Sequence, residues 1–318
     1  ECREFAEKWI AVQREEFKRM GVIGDWENPY TTMSYAAEAQ IVRELGKFLM
    51  DGSLYRGAKP VMWSIIEKTA LAEAEVEYLD HVSTTVFVRF PIKETQLEGL
   101  TDASIVIWTT TPWTIPGNRA IACGGEVEYV VSKVSGVEEN SLAKVDEVIV
   151  LAAELIGEVS KSIGITSYDI LHRLKGKDLV STTCNHPLSY LNNYYEFDVP
   201  ILTAEFVEME TGTGFVHIAP GHGTDDWELG IENGIIIPET VDSDGTFFGH
   251  VGLFAGIEVM ALGSNNKPYY PGNKAVIERL IEARNLVGKG KLKHSYPHSW
   301  RSKAPLIFRN TPQWFISM

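Results

Sequence analysis

In the stretch "SIVIWTTTPWTIPGNRA", residues 104–120, a β-rich apolar run stops abruptly at three consecutive threonines. The β-branched residues suit a strand, and two prolines close it. Strand alternation places Thr109 and Thr111 on one face, and Trp108 and Thr110 on the other. Hydroxyl groups both donate and accept hydrogen bonds. The triplet is therefore either ordinary strand surface or a small site that holds water or a ribose hydroxyl.

Length and composition narrow the class of protein. A chain of 318 residues exceeds one typical domain, so two units are predicted. An apolar fraction of 44% and a charged fraction of 23% are typical of globular proteins. No apolar run approaches the ~20 residues of a membrane helix, so no membrane partner is expected. Three widely separated cysteines predict reduced thiols and a cytoplasmic location.

Charge is unevenly distributed along the chain. The formal net charge is −14, which argues against broad, non-specific binding to nucleic acid. No acidic residue follows Glu282, whereas seven basic residues do. This C-terminal basic segment is either a solvated surface or one edge that faces phosphates, and the sequence leaves both interpretations open.

Hydrophobic periodicity predicts a mixed α/β fold. Helical spacing covers residues 1–20 and 33–50, and β patterns begin near Tyr78. Further helical patterns lie near residues 151–163, 225–233 and 273–287. The mixed order predicts a compact, β-barrel-like α/β domain of roughly 200 residues, flanked by segments of different character.

A second cluster, "ETGTGFVHIAPGHGTDDWELG", covers residues 210–230. "FVHIA" predicts a short strand that presents His217, and "PGHG" predicts a tight turn. Thr224 is predicted to cap the following helix, with Asp226 in its first turn. This order allows His217 and Asp226 to converge on one pocket.

Three interpretations of this cluster compete. In the structural one, Asp226 interacts favourably with the helix dipole and His217 is a buried histidine with its partners satisfied. In the metal one, His217, His222 and Asp226 are ligands, although the spacing does not place both rings on one helix face. In the third, a carboxylate binds an ammonium group in a hydrolytic pocket. No G-x-S-x-G elbow is present, and the glycine pair lacks the third glycine of a dinucleotide fingerprint.

The two clusters together resemble the isoleucyl-tRNA synthetase family of bacterial type. "WTTTPWTIPGNRA" and "GTGFVHIAPGHGTDD" resemble the two signature segments of its editing domain. Relatives specific for valine or leucine carry an Arg at the position of Thr111, which favours the isoleucine member. The resemblance extends to these further segments: "GDWENPYTTM", "KPVMWS", "TALAEAEVEY" and "YPHSWRSKAPLIFRNTPQWF".

The resemblance also implies a domain organisation. Residues 1–78 correspond to a mainly helical flanking segment of the synthetic domain, 79–290 to the editing domain, and 291–318 to a C-terminal flanking segment. The implied fold is a β-barrel-like editing domain inserted between partial segments of a Rossmann-type nucleotide-binding domain. The family's aminoacylation motifs do not occur in this sequence, so we expect no amino-acid activation from it.

The resemblance assigns roles to individual residues in the hydrolysis of valine from the isoleucine tRNA. Asp226 matches the carboxylate that pairs with the α-ammonium group, and His217 matches the residue that blocks the extra methyl of isoleucine. Thr110 is the residue expected to orient water. Thr109, Thr110 and Thr111 are implied around the ester. Trp113 is implied as a wall of the pocket, and Asn118 as a contact of the terminal adenosine.

Cofactors and partners follow from the same resemblance. Editing needs no cofactor, and only the full-length enzyme uses ATP. Many relatives hold a structural zinc in W-C-x-x-C and H-C-W-R-C segments, whose cysteine positions here are Ser64, Glu67, Ser299 and Ser302. A structural zinc is therefore predicted to be absent. The implied partners are the valine-bearing acceptor end of the isoleucine tRNA and the rest of the synthetase. The alternatives are a passive module that binds the acceptor end, or a metal-dependent hydrolase using His217, His222 and Asp226.

Overall fold

A computed structural model describes residues 1–264 and 267–318. The contacts divide the chain into two compact units, 1–57 with 312–318, and 58–311. The boundaries predicted at 78/79 and 290/291 concern where an insertion joins its parent domain, and they stay predictions.

The first unit is mainly helical. Helix α1 spans Cys2–Arg19 and helix α2 spans Tyr35–Met50, so both N-terminal helical patterns formed helices. The Ser34 side chain caps α2 by accepting a hydrogen bond from the Ala37 N–H at 3.2 Å. Within the described part of the chain, neither helix contains a fully buried residue.

Strands dominate the rest of the chain. In chain order the elements are β1 Leu54–Ser64, β2 Thr69–Ala70, β3 Val76–Glu94, β4 Ala103–Thr109, β5 Ala120–Cys123, β6 Glu128–Val137, β7 Val148–Ala152, α3 Ile156–Ser162, β8 Ile165–Lys175, β9 Thr183–Asn185, β10 Asp198–Thr203, β11 Phe215–Ile218, α4 Thr224–Glu232, β12 Ala261–Leu262, β13 Pro268–Tyr269, α5 Pro271–Glu282, β14 Leu286–Ser299 and β15 Ile307–Ile316.

One large sheet of ten strands organises the second unit. Its order is β11-β5-β10-β9-β3-β4-β7-β6-β8, with β14 also paired to β3. Most pairs are antiparallel, but β5 with β10 and β4 with β7 are parallel. Smaller sheets have the orders β15-β1-β2 and β12-β13. The mixed α/β prediction is confirmed. The finer prediction of a barrel is not, although β11 packs against β4.

Buried β-branched and aromatic side chains on the large sheet form the main core. Val88 on β3, Ile105 on β4 and Val150 on β7 are completely buried. Among the described residues, no helix combines the length and the apolar character needed to cross a membrane.

The helical pattern over 273–287 ends earlier than predicted. Helix α5 stops at Glu282, and Arg284 takes a left-handed conformation with φ of +59°. The Arg89 guanidinium donates a hydrogen bond to the Arg284 carbonyl at 2.9 Å, which holds this turn. Strand β14 then begins at Leu286.

Gly214 sets the start of β11. Gly214 has φ of +79°, and a Cβ there would lie 2.4 Å from the Ala152 Cβ, so only glycine fits. The buried Tyr129 hydroxyl donates to the Gly214 carbonyl at 2.6 Å and accepts from the Gly124 N–H at 3.0 Å. These contacts fix where β11 leaves the preceding loop.

Candidate functional site

The threonine segment turns sharply where β4 ends at Thr109. The Thr109 hydroxyl accepts from the Thr111 N–H at 3.2 Å and lies 3.2 Å from the Thr111 hydroxyl. These two side chains therefore share a side, as strand alternation predicts. A 3₁₀ turn over Pro112–Gly117 follows, in which the Thr114 hydroxyl donates to the Thr111 carbonyl at 2.8 Å.

Both ring nitrogens of His217 are occupied by protein groups. The Asn118 amide Nδ2 lies 2.9 Å from Nδ1, and the Thr114 hydroxyl lies 2.8 Å from Nε2. The Asn118 Nδ2 also donates to the Ala120 carbonyl, which fixes the orientation of the amide. The His217 Nδ1 must therefore accept, and its Nε2–H donates to Thr114. Burial lowers the pKa of His217 to about 3, so the ring is neutral.

A cavity of about 310 Å³ opens beside the threonine turn. It brings Thr109 and Thr110 together with Asp226, although these residues lie far apart in the sequence. Thr111 and His217 are not among the described residues that line it. The lining is Trp108, Thr109, Thr110, Phe206, Glu208, Thr211, Gly212, Gly214, Phe215, Val216, Asp225 and Asp226.

Asp226 lies in the first turn of α4. Its Oδ2 accepts a hydrogen bond from the Ala219 N–H at 2.7 Å, which ties the helix to the end of β11. The N-cap residue is Gly223, so the prediction that Thr224 caps this helix is wrong. Burial raises the pKa of Asp226 to about 6, and the nearby Asp225 carboxylate acts in the same direction. Among the described residues, no basic side chain forms an ion pair with Asp226.

Trp113 and Asn118 are buried and do not line this cavity, as far as the described chain shows. The Trp113 N–H donates to the Asn273 Oδ1 at 3.0 Å, and its ring meets the His222 ring edge-on at 4.8 Å. Asn118 is completely buried against His217. Their predicted roles as pocket wall and adenosine contact stay predictions.

Trp108 and Phe206 are apolar lining residues to which the sequence argument gave no role. Trp108 shares the strand face of Thr110, and this alternation was a usable signal. Phe206 lies in the loop after β10, where no periodic pattern points to the cavity.

The proposed metal ligands do not form a metal site. The His222 Nδ1–H donates to the Phe308 carbonyl at 2.9 Å, and its Nε2 is bound to the Thr240 hydroxyl. Both rings of the histidine pair are thus committed to protein partners. In residues 1–264 and 267–318, no group of three His, Cys, Asp or Glu side chains is placed to hold a metal ion.

The four positions implied for a structural zinc do lie together. The Glu67 Oε1 accepts from the Ser299 hydroxyl at 2.9 Å and from the Ser302 N–H at 3.0 Å. The Ser64 hydroxyl accepts from the Glu67 N–H at 3.1 Å. Zinc prefers thiolate and imidazole ligands, whereas these hydroxyls and this carboxylate oxygen already bond to one another. The residues present therefore do not fit a zinc site.

Comparisons with known proteins agree with these local features. The family described as "tRNA synthetases class I (I, L, M and V)" matches residues 1–318. The isoleucine–tRNA ligase of Pelagibacter ubique is 52% identical over the whole chain, which spans 33% of that protein. The corresponding ligase of Bradyrhizobium diazoefficiens is 51% identical over the whole chain, which spans 32% of it.

Solved structures that align with part of the chain include leucyl-tRNA synthetase editing domains. The Plasmodium falciparum cytosolic domain aligns with a TM-score of 0.36 and 14% identity, covering 46% of this chain and 64% of that one. The Plasmodium knowlesi domain aligns with a TM-score of 0.36 and 14% identity, covering 47% and 62%. The chain spans about a third of the length of the curated relatives. The family match covers every residue, so the chain belongs to the class I tRNA synthetases and is similar throughout to the isoleucine–tRNA ligases.

Proposed function

We propose that the residues of this cavity hydrolyse the ester of valine mistakenly attached to the isoleucine tRNA. The chain would then be the editing deacylase part of an isoleucyl-tRNA synthetase. One observation carries the proposal. The desolvated Asp226 carboxylate, without a basic partner in the described structure, lies in one cavity with the Thr109 and Thr110 hydroxyls. A half-buried carboxylate of this kind suits a cationic ligand, because a positive charge offsets its desolvation.

In the proposed mechanism, Asp226 pairs with the α-ammonium group of the aminoacyl ester. Thr109 and Thr110 hydroxyls hold a water molecule against the carbonyl carbon. The water oxygen attacks that carbon, the bond to the ribose oxygen breaks, and the ribose oxygen takes up a proton. The neighbouring ribose hydroxyl assists this transfer. No covalent intermediate forms, because no activated side-chain nucleophile is involved.

His217 has a supporting role in this mechanism. Its neutral ring is held by Thr114 and Asn118, so it cannot accept a proton without losing a hydrogen bond. The ring fixes the turn that carries the threonines, because Thr114 also binds the Thr111 carbonyl. The predicted contact of His217 with the substrate side chain remains part of the proposal.

Size is the basis proposed for selectivity. One methylene is worth only about 1–3 kcal/mol in a hydrophobic pocket, and this very enzyme family is the established example of that limit. A second site must therefore admit valine and exclude isoleucine. The rigid rings of Trp108 and Phe206 on the cavity wall support such a size restriction.

The proposal extends to the wider setting. The partners are the acceptor end of the isoleucine tRNA and the remainder of the synthetase, whose relatives are named isoleucine–tRNA ligases. The full-length enzyme uses ATP, editing needs no cofactor or structural zinc, and the location is cytoplasmic. The large sheet is proposed to curl into a barrel-like editing domain between parts of the nucleotide-binding domain.

Replacement of Asp226 tests the proposal. We expect Asp226→Asn to lower kcat/KM for valyl-tRNA hydrolysis by at least about 100-fold, because the ammonium loses its charged partner. Glu232→Gln on the same helix is the matched control and should hydrolyse at the parent rate. The measurement is release of radiolabelled valine from charged isoleucine tRNA, with isoleucyl-tRNA run beside it.

Two results would overturn the proposal. One is equal hydrolysis by the parent and Asp226→Asn, and the other is equal parental rates on valyl- and isoleucyl-tRNA. If the chain binds the acceptor end but leaves both esters intact, the alternative of a passive module that binds the acceptor end is correct.

A further inference from the structure

Strand β14 carries three lysines at alternate positions, Lys289, Lys291 and Lys293, and we name them the lysine row. All three side chains are exposed, whereas Gly290 and Leu292 between them are half-buried. Alternation places the three ammonium groups on one face of the strand at intervals of about 6.8 Å. Three of the seven basic residues of the C-terminal basic segment thus form a linear array of positive charge.

Strand register connects the lysine row to the candidate site. Lys289 pairs with Val86 on β3, and Val86 pairs on its other side with Thr109 on β4. Directly opposed residues share a face of a sheet, and neighbouring strands lie about 4.8 Å apart. The Lys289 backbone is therefore about 10 Å from that of Thr109, and the completely buried Val86 lies between them.

From that point the lysine row leads away from the cavity. Lys291 is opposite Thr84 and Lys293 is opposite Val82, both further from the β4 pairing. The row extends about 14 Å along β14. Its near end is therefore in register with the cavity threonine, and its far end lies on the part of β3 that β4 does not cover.

The lysine row is only partly neutralised. The Lys293 ammonium forms an ion pair with Asp80 at 2.7 Å, with both side chains exposed. For Lys289 and Lys291, no carboxylate lies within ion-pair distance in the described parts of the chain. On a chain with a net charge of −14, this is a local site for an extended anion.

We propose that the lysine row binds successive phosphates of the RNA strand whose 3′ end enters the cavity. This inference rests on the proposed function and adds the path of the substrate backbone. An extended RNA strand carries a phosphate at each nucleotide, at an interval similar to the spacing of the lysines. A positive track that follows the backbone is the usual device for binding a single strand.

A double charge reversal tests the proposal on the 318-residue chain. The variant is Lys289→Glu with Lys291→Glu, and the control is Lys144→Glu with Lys161→Glu, which changes the net charge equally on other elements. We expect the first variant to raise the Kd for uncharged isoleucine tRNA at least 10-fold. The slope of log K against log salt should fall by about 1.4, at ~0.7 per phosphate contact. The control should match the parent.

A second substrate separates this proposal from the proposed function. Hydrolysis of 3′-valyl adenosine, which has no phosphate, should be equal in the parent and the reversal variant. Equal tRNA affinity in the two double variants would overturn the proposal that the lysine row binds phosphates. An unchanged slope of log K against log salt would overturn it as well. If the parent chain binds tRNA but cleaves neither ester, the proposed deacylase function is wrong. The comparison of tRNA affinities then still tests whether the lysine row binds phosphates.

Discussion

At the scale of single residues, Asp226 links the structure to an expected pH dependence. Burial raises its pKa to about 6, so the carboxyl group is neutral below that pH and charged above it. Ammonium binding needs the charged form. On the proposed function, kcat/KM for valyl-tRNA should therefore rise with pH up to about 6 and level off before pH 7. A pH profile of single-turnover hydrolysis measures this rise.

The neighbouring carboxylate provides the control for this assignment. The Asp225 charge contributes to the raised pKa of Asp226, so Asp225→Asn should move the rise to lower pH. Asp226→Asn should remove the rise altogether. A profile that keeps its midpoint in both variants would show that another group controls it.

The predicted convergence of site residues holds only in part. Thr109, Thr110 and Asp226 meet at the cavity, as the two clusters suggested. His217 does not line it among the described residues, because its ring is bound by Thr114 and Asn118 instead. These partners lie about 100 residues away along the chain, so no local pattern shows them.

At the scale of elements, the Glu67 cluster joins the end of β1 to the turn after β14. Glu67→Ala removes the acceptor of the Ser299 hydroxyl and the shorter of the two hydrogen bonds from the Ser302 N–H, so the free energy of unfolding should fall by about 1–3 kcal/mol. Denaturant unfolding measures this, with exposed Glu98→Ala as a control that should stay within about 0.5 kcal/mol.

The same cluster separates hydrogen bonding from metal binding. Chelator treatment of the parent should leave its unfolding midpoint unchanged, and added zinc should not restore Glu67→Ala. Loss of stability in chelator, together with zinc in the purified chain, would contradict the assignment of these residues to a metal-free cluster.

The elements differ in how well sequence predicts them. Helices α1 and α2 and the buried strands carry strong periodic signals and formed as expected. The helix at α5 was predicted too long because nothing in the local sequence shows that Arg89 binds the Arg284 carbonyl. Strand β14 was missed for a related reason, since its pairing partner β3 begins more than 200 residues earlier.

At the scale of the whole molecule, three buried histidines oppose stability in acid. Burial lowers the pKa of His186 and His217 to about 3 and that of His222 to about 4. Below pH 6.5 the unfolded chain binds protons that these folded rings refuse, so the free energy of unfolding should fall as pH decreases. Asp226 acts in the opposite direction between pH 3.8 and about 6, because its folded pKa is raised.

These opposing pKa shifts set the slope of the free energy of unfolding against pH, which can be measured. Near pH 5, these three histidines and Asp226 together leave a net uptake of about two protons on unfolding. Burial also lowers the pKa of His81, which adds to this uptake. Denaturant titrations at several pH values between 7 and 5 measure it, and His222→Gln should lower the uptake by about one. A stability that does not change over this range would contradict the buried neutral histidines.

The half-buried state of Asp226 also has a consequence for the accuracy of translation. If the proposed deacylase depends on that charge, its proofreading weakens whenever the cell interior acidifies towards pH 6. Valine would then be incorporated more often at isoleucine codons. The fidelity of translation would depend on intracellular pH through one carboxyl group.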